Sequence, residues 1–281
     1  MKFIKMHGLG NDFVFIDLID SGISKEIPKD LPELARKMCD RHFGIGADGL
    51  ILVLPSKKAD FRMRIFNPDG SEPEMCGNAI RCFAKYVYEK GITSKKEISI
   101  ETLGGIKVVT LKLAGDKVEM VTVDMGIPAL SKEDIPVIWD NDRVIDGRLD
   151  VNGTTFNITC VSMGNPHAVI FVENLEEINV EEVGSIIETH PIFPKKTNVE
   201  FIQVLSENEI RMKVWERGAG VTLACGTGAC ASTVASILNK KTGRSIWVHL
   251  DGGDLFIEWK EDGHVYMSGP ATEVFEGEFL L

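Results

Sequence analysis

Alternating apolar and polar positions dominate the chain, and helical spacing interrupts them in only a few places. Residues 3–6 and 13–16 read as strands on either side of the Gly-rich turn His7-Gly8-Leu9-Gly10-Asn11-Asp12. Asp30 and Pro32 mark a helix start, after which Leu34, Ala35, Met38 and Cys39 recur at helical spacing. The loop Gly44-Ile45-Gly46-Ala47-Asp48-Gly49 leads into a continuous apolar strand over 50–54 and a second strand over 61–66. A helix then opens near Cys76, with Ile80, Phe83, Ala84 and Val87 on its apolar face, and stops at Gly91. Further strands are predicted over 97–101, 106–113 and 117–124.

The pattern restarts near Asp124. Strands over 155–163 and 168–172 flank Gly164-Asn165-Pro166-His167, a helix spans 180–188, and a strand follows over 198–205. Residues 61–80 and 210–229 align without a gap at an offset of 149, which pairs Arg62 with Arg211, Met63 with Met212 and Cys76-Gly77 with Cys225-Gly226. Asn11 and Asn165 occupy comparable places before the two cysteines, as do Asp48 and Asn198. The chain therefore reads as an α+β protein of two pseudo-symmetric domains, each a strand-rich barrel or half-barrel around a central helix. The expected boundaries are 1–122 and 123–270, with a cleft between the domains. Residues 265–281 read as strand, and 271–281 are expected to return to the first domain.

Composition narrows the function. A hydrophobic content of 44% with 26% charged residues is that of a globular chain. The net charge of −11 argues against nucleic acid as a partner. No run approaches the roughly 20 apolar residues of a membrane span, and residues 1–8 lack a signal-peptide core, so the expected location is the cytoplasm. There the six cysteines stay reduced, and no Cys/His spacing suits a metal site.

Cys82, Cys160 and Cys230 read as small buried hydrophobes. Cys76 and Cys225 differ, because each follows a loop and precedes a Gly at a helix start. The helix N-terminus favours a thiolate there. Two such thiols in duplicated domains fit a two-base racemase, in which one removes the α-proton and the other delivers a proton to the opposite face. The same helix N-termini would hold a carboxylate. No P-loop, dinucleotide fingerprint or clear pyridoxal-phosphate lysine is present, and the chemistry requires no cofactor.

Asn67-Pro68-Asp69-Gly70-Ser71, followed at a four-residue spacing by Cys76-Gly77-Asn78-Ala79-Ile80-Arg81, resembles the signature of the diaminopimelate epimerase family. The resemblance runs along the whole chain, through residues 5–13, 44–49 and 164–167, Glu216-Arg217-Gly218 and Cys225-Gly226-Thr227-Gly228. It implies interconversion of LL- and meso-diaminopimelate without pyridoxal phosphate, on the route to lysine and peptidoglycan, by a homodimeric enzyme. It also implies Cys76 and Cys225 as the acid/base pair and Asn11, Asn67, Asn165, Asn198, Glu216 and Arg217 as substrate ligands. The amides of Gly77-Asn78 and Gly226-Thr227 would take the carboxylate at the reacting centre. Gly49 stands where some members carry a substrate-touching Gln. Arg217 suits the distal carboxylate, and Glu216 and the Asn side chains suit the ammonium groups.

Plainer readings stand beside these. Asn67-Pro68-Asp69-Gly70 alone is an ordinary turn, Glu216-Arg217 a surface ion pair, and His167 a packed histidine or a residue that tunes a thiol. A proline or hydroxyproline racemase is the nearest enzyme alternative. A non-catalytic amino-acid-binding protein and a thiol redox protein are the alternatives of other classes.

Overall fold

In a computed structural model of the chain, residues 1–19 and 28–280 are described. They fold as two compact units, Met1–Val123 with Gly269–Leu281, and Asp124–Ser268. In the first, β1 (Lys2–Gly8) and β2 (Asn11–Asp17) form an antiparallel hairpin. Its two-residue turn holds Leu9 at φ 57° and Gly10 at φ 86°, the left-handed pair that a type I′ hairpin needs. Helix α1 (Leu31–Cys39) crosses to β3 (Gly49–Pro55), which lies parallel to β2. Asp30 caps α1 by accepting from the Glu33 N–H, and Leu34, Ala35, Met38 and Cys39 pack on Val14, Ile16, Leu50 and Leu52.

Strand β4 (Phe61–Phe66) returns antiparallel to β3, and α2 (Gly77–Glu89) crosses to β5 (Glu97–Thr102), parallel to β4. β6 (Gly105–Ala114) and β7 (Lys117–Asp124) follow as antiparallel neighbours. The C-terminal strand Thr272–Glu278 pairs antiparallel with β1. Helix α2 buries Ile80, Phe83 and Val87 completely, each burial contributing about 1.5–3 kcal/mol.

The second unit repeats this order. β8 (Gly147–Val151) pairs with β9 (Thr154–Ser162), filling the edge that the C-terminal strand fills on β1. β10 (Pro166–Phe171), α3 (Val180–Glu188) with its Asn179 cap, and β11 (Asn198–Ser206) form the same crossover to a parallel partner. β12 (Glu209–Glu216) is antiparallel to β11, and the short β13 (Gly220–Thr222) takes part of the loop before α4 (Gly226–Leu238). β14 (Ser245–Leu250), parallel to β12, then leads into β15 (Gly253–Trp259) and β16 (Val265–Gly269).

Helix α4 is apolar or small all round, as a helix enclosed by strands must be. It packs on β9, β10, β11, β12, β14 and β15, which is the barrel around a central helix expected from the sequence. Two of its buried hydroxyls are satisfied within the helix, Thr233 donating to the Ala229 carbonyl and Ser236 to the Ser232 carbonyl, while Ser232 donates to the Met212 sulfur on β12. Among the described residues no helix is long and apolar enough to cross a membrane.

The repeat is closest at its central helices. α2 and α4 are each 13 residues long and start 149 residues apart. Their C-terminal ends repeat bond for bond. The N–H groups of Lys90, Gly91 and Ile92 reach the carbonyls of Tyr86, Tyr88 and Val87, while those of Asn239, Lys240 and Lys241 reach Ala235, Ile237 and Ser236. Strand register fixes one pairing that sequence spacing leaves a residue out. Phe13 lies beside Gly49 and His167 beside Asn198, so Gly49, and not Asp48, is the counterpart of Asn198.

Candidate active site

Cys76 and Cys225 are the N-cap residues of α2 and α4, with extended backbones (φ −140° and −122°) and no side-chain cap bond. An N-cap leaves the first helical N–H groups pointing outward, here those of Gly77 and Asn78 and of Gly226 and Thr227. The β1–β2 turn brings Asn11 to the first of these helices. Gly8 allows the approach, since a Cβ there would lie 3.0 Å from Arg81 Nη2 and 3.2 Å from Asn78 Cβ. Asn11 Oδ1 then accepts from Asn78 Nδ2 (3.2 Å) and from the Cys76 thiol (3.7 Å).

Asn11 is held from behind, its Nδ2 donating to Asp48 Oδ2 at 2.8 Å. Arg41 bridges Asp48 and Asp12 (2.7 and 2.8 Å), and Lys5 pairs with Asp12 (2.6 Å) while also donating to the Gly46 carbonyl. Burial disfavours the Asp12 carboxylate, but hydrogen bonds from Arg41 and Lys5 outweigh it and hold its pKa at about 2. The fully buried Arg81 brings a positive charge to the first turns of α2, donating to Asn78 Oδ1 (2.8 Å), the Gly77 carbonyl (3.1 Å) and the Pro270 carbonyl (3.2 Å).

Around Cys225 the partners change. Asn165 Nδ2 donates to Thr227 Oγ1 (3.3 Å), which lies 3.6 Å from the Cys225 sulfur. His167 Nε2 meets Asn165 Oδ1 at 3.0 Å, and His167 Nδ1 meets Glu200 Oε1 at 2.7 Å. Both His167 and Glu200 are 0% exposed. The helix-terminus argument predicts a thiolate at Cys225, and the structure reverses this. Burial, then Glu216 and Glu200, push the Cys225 thiol well above its ordinary range, against the pull of Thr227 and the Gly228 N–H. Cys225 therefore rests as a thiol.

The other sequence-predicted residues lie in loops or at strand ends: Asn67 follows β4, Asn198 opens β11, and Glu216 closes β12 with Arg217 just after it. Asn67 sits in a self-contained turn, its Nδ2 donating to Ser71 Oγ (2.9 Å) and its carbonyl accepting from Gly70, so the plain turn geometry is present. Asn198 is buried and ties two segments together, donating to the Pro166 carbonyl (2.8 Å) and accepting from the Arg217 N–H (2.9 Å). Glu216 accepts from Thr222 Oγ1 at 2.5 Å. Arg217 is exposed and donates from Nη1 to the Lys195 carbonyl (3.2 Å). Sequence reasoning missed Asp48 as the anchor of Asn11, Arg81 behind Asn78, and Glu200 behind His167. Glu200 carried a signal, being a lone charge in the apolar run Val199-Glu200-Phe201-Ile202. Among the described residues no group of three or more His, Cys, Asp and Glu side chains is arranged to hold a metal ion.

The sequence profile of the diaminopimelate epimerase family matches residues 3–130 and 159–274, which include both cysteine helices. The chain belongs to the diaminopimelate epimerase family. It is 61% identical to the diaminopimelate epimerase of Desulfitobacterium hafniense over 280 residues, covering 100% of this chain and 98% of that one. It is 58% identical to the diaminopimelate epimerase of Pelotomaculum thermopropionicum over 279 residues, covering 99% of each. Among solved structures, a phenazine biosynthesis protein of the PhzF family from Bacillus anthracis superposes with a TM-score of 0.70 at 20% identity, covering 100% of this chain and 99% of that one. That likeness extends the two-unit fold beyond the epimerase family.

Proposed function

We propose that this protein epimerises diaminopimelate at one α-carbon, with Cys76 and Cys225 as the two acid/base groups. The chain is an isomerase acting on a small molecule. The observation that carries the mechanistic reading is the pair of thiols at the N-caps of equivalent 13-residue helices, each beside a carboxamide, Asn11 or Asn165. A thiolate takes the α-proton, and the other thiol gives a proton to the opposite face of the same carbon. Cys225, resting as a thiol, is ready for the second of these roles. The outward N–H groups of Gly77-Asn78 and Gly226-Thr227 bind the carboxylate next to the reacting carbon and support the charge that develops there.

The distal amino-acid end needs its own ligands, which we assign to Asn67, Asn198, Glu216 and Arg217. Arg217 has a guanidinium edge suited to a bidentate carboxylate. Family resemblance adds two expectations, assembly as a homodimer and a cytoplasmic location. Sedimentation of the purified chain tests the first, with a species of twice the 31.0 kDa chain mass expected.

The function is tested by incubating LL-diaminopimelate, and proline as a control, with the reduced protein and resolving stereoisomers by chromatography. Formation of meso-diaminopimelate with proline unchanged is expected. Racemised proline with unchanged diaminopimelate would move the activity to an imino-acid racemase.

A further inference from the structure

The two units differ beneath their cysteines. At the same offset of 149 that pairs Cys76 with Cys225, Ile51 pairs with Glu200 and Ala79 with Gly228. By strand register Phe13 corresponds to His167. In the first unit this place is filled by the buried side chains of Phe13 and Ile51, so the fold is satisfied there by apolar packing. In the second it holds a fully buried acid and imidazole in contact. Gly228 makes room for them, because a Cβ at that position would lie 2.7 Å from Glu200 Oε1, whereas the equivalent position in the first unit is Ala79, which carries a Cβ. Glu200 Oε2 has no hydrogen-bond partner among the described residues. Burying a carboxyl in this way is unfavourable, and nothing in the repeat requires it.

The hydrogen bonds around the pair have one consistent direction. Asn165 Nδ2 donates to Thr227 Oγ1, so Asn165 Oδ1 faces His167 and needs a proton on Nε2. Nδ1 then shares a second proton with Glu200 Oε1, either from a carboxylic acid to a neutral ring or from an imidazolium to a carboxylate. Both arrangements have no net charge. Because Thr227 Oγ1 accepts from Asn165, its own hydrogen is available to the Cys225 sulfur 3.6 Å away.

We infer, on the footing of the proposed function, that Glu200 is a positioning residue. Through His167 and Asn165 it sets the direction of the chain of hydrogen bonds, so that the Thr227 hydroxyl donates to the Cys225 sulfur and supports the thiolate left when Cys225 gives up its proton. Without that anchor the imidazole can exchange its ring proton, the Asn165 amide can turn over, and the Thr227 hydroxyl loses its orientation. Two other ionisable groups bear on Cys225: Glu216 opposes the thiolate and is unchanged by the test below, and Glu200 as a bare carboxylate would oppose it too, but the proton it shares with His167 leaves that pair with no net charge.

The test compares Glu200→Met, which keeps length and removes both hydrogen-bonding atoms, with Glu200→Gln, whose amide N–H can donate to Nδ1 in the original direction. In a Cys76→Ala background, the rate at which iodoacetamide alkylates Cys225 is followed against pH by peptide mass spectrometry. Glu200→Met is expected to move the midpoint up on the order of one pH unit, a slowing of about tenfold at fixed pH. Glu200→Gln is expected to stay within about threefold of the parent. With Cys76 restored, Glu200→Met lowers kcat for diaminopimelate by a similar factor and leaves KM within about threefold, and Glu200→Gln recovers kcat.

Faster alkylation in both variants would show Glu200 to be a bare negative charge, and unchanged rates a spectator. Equal slowing in both would show the donor direction to be immaterial. Each of these results overturns the inference. Alkylation uses no substrate, so a chain that shows the expected alkylation pattern but leaves diaminopimelate unchanged sinks the proposed function alone.

Discussion

At the scale of single residues, six cysteines divide by surroundings rather than by sequence neighbours. Burial pushes the thiols of Cys39 and Cys82 up to about 12 and that of Cys160 higher still, which fits packing roles. Cys76 and Cys225 have polar neighbours and helix N–H groups, although burial raises the Cys225 thiol as well. Replacing either by Ala is expected to lower epimerisation by at least 10²–10⁴-fold, on the order of a lost acid/base group. A stereoisomer assay on each variant checks this, and a residual rate within tenfold of the parent would remove that cysteine from the mechanism. Asp12 supplies a pH prediction. Its folded pKa of about 2 lies below the ordinary 3.8, so ionised Asp12 stabilises the fold above about pH 3.8 and ceases to do so as pH falls through 2. Asp12→Asn should cost about 1 kcal/mol at pH 7 and less with each step toward pH 2. Urea midpoints across that range decide it, and parallel curves for the two proteins would refute the assignment.

At the scale of elements, the central helices carry the proposed acid/base thiols at one end and a test of the duplication at the other. A helix usually opens on Ser, Thr, Asp or Asn, whose side chain takes an exposed N–H, but Cys76 and Cys225 make no such bond. Cys76→Ser should therefore raise stability by about 0.5–1 kcal/mol while abolishing epimerisation. A variant both less stable and inactive would instead mean that the thiol is needed for packing. At the far ends, Gly91 and Lys240 occupy the same left-handed position, at φ 73° and 56°. Gly has no Cβ to clash there, whereas Lys carries strain. Lys240→Gly is expected to stabilise the protein, and Gly91→Ala to destabilise it by about 1 kcal/mol. Open space around a Cβ at Gly91 means that backbone conformation alone sets the second effect. Denaturant midpoints moving the same way in both variants would contradict the equivalence.

At the scale of the whole molecule, two copies of one unit have kept their architecture and diverged beneath their thiols. The hydrophobic pattern made the α+β class and the central helices legible, because strand alternation and the apolar faces of α2 and α4 are local properties of the chain. Asp30 and Pro32 likewise announced α1. Strand β8 was not legible: Gly147–Val151 is short, and it gains its place by pairing with β9. Both cysteines and both flanking asparagines could be read from the repeat. The state of Cys225 could not, since it depends on burial beside Glu216 and Glu200, which only the folded chain brings near. Glu200 was half legible, as a charge in an apolar run whose counterpart in the repeat is Ile51. The proposal that two thiols serve opposite faces of one carbon is tested most directly by turnover of LL-diaminopimelate in D2O, observed by proton NMR during the first few per cent of reaction. With two thiols, newly formed meso product is expected to carry solvent deuterium at the inverted α-carbon while recovered LL substrate keeps its proton. Product that retains the original proton would mean that a single group both removes and returns it, and the two-thiol mechanism would be wrong.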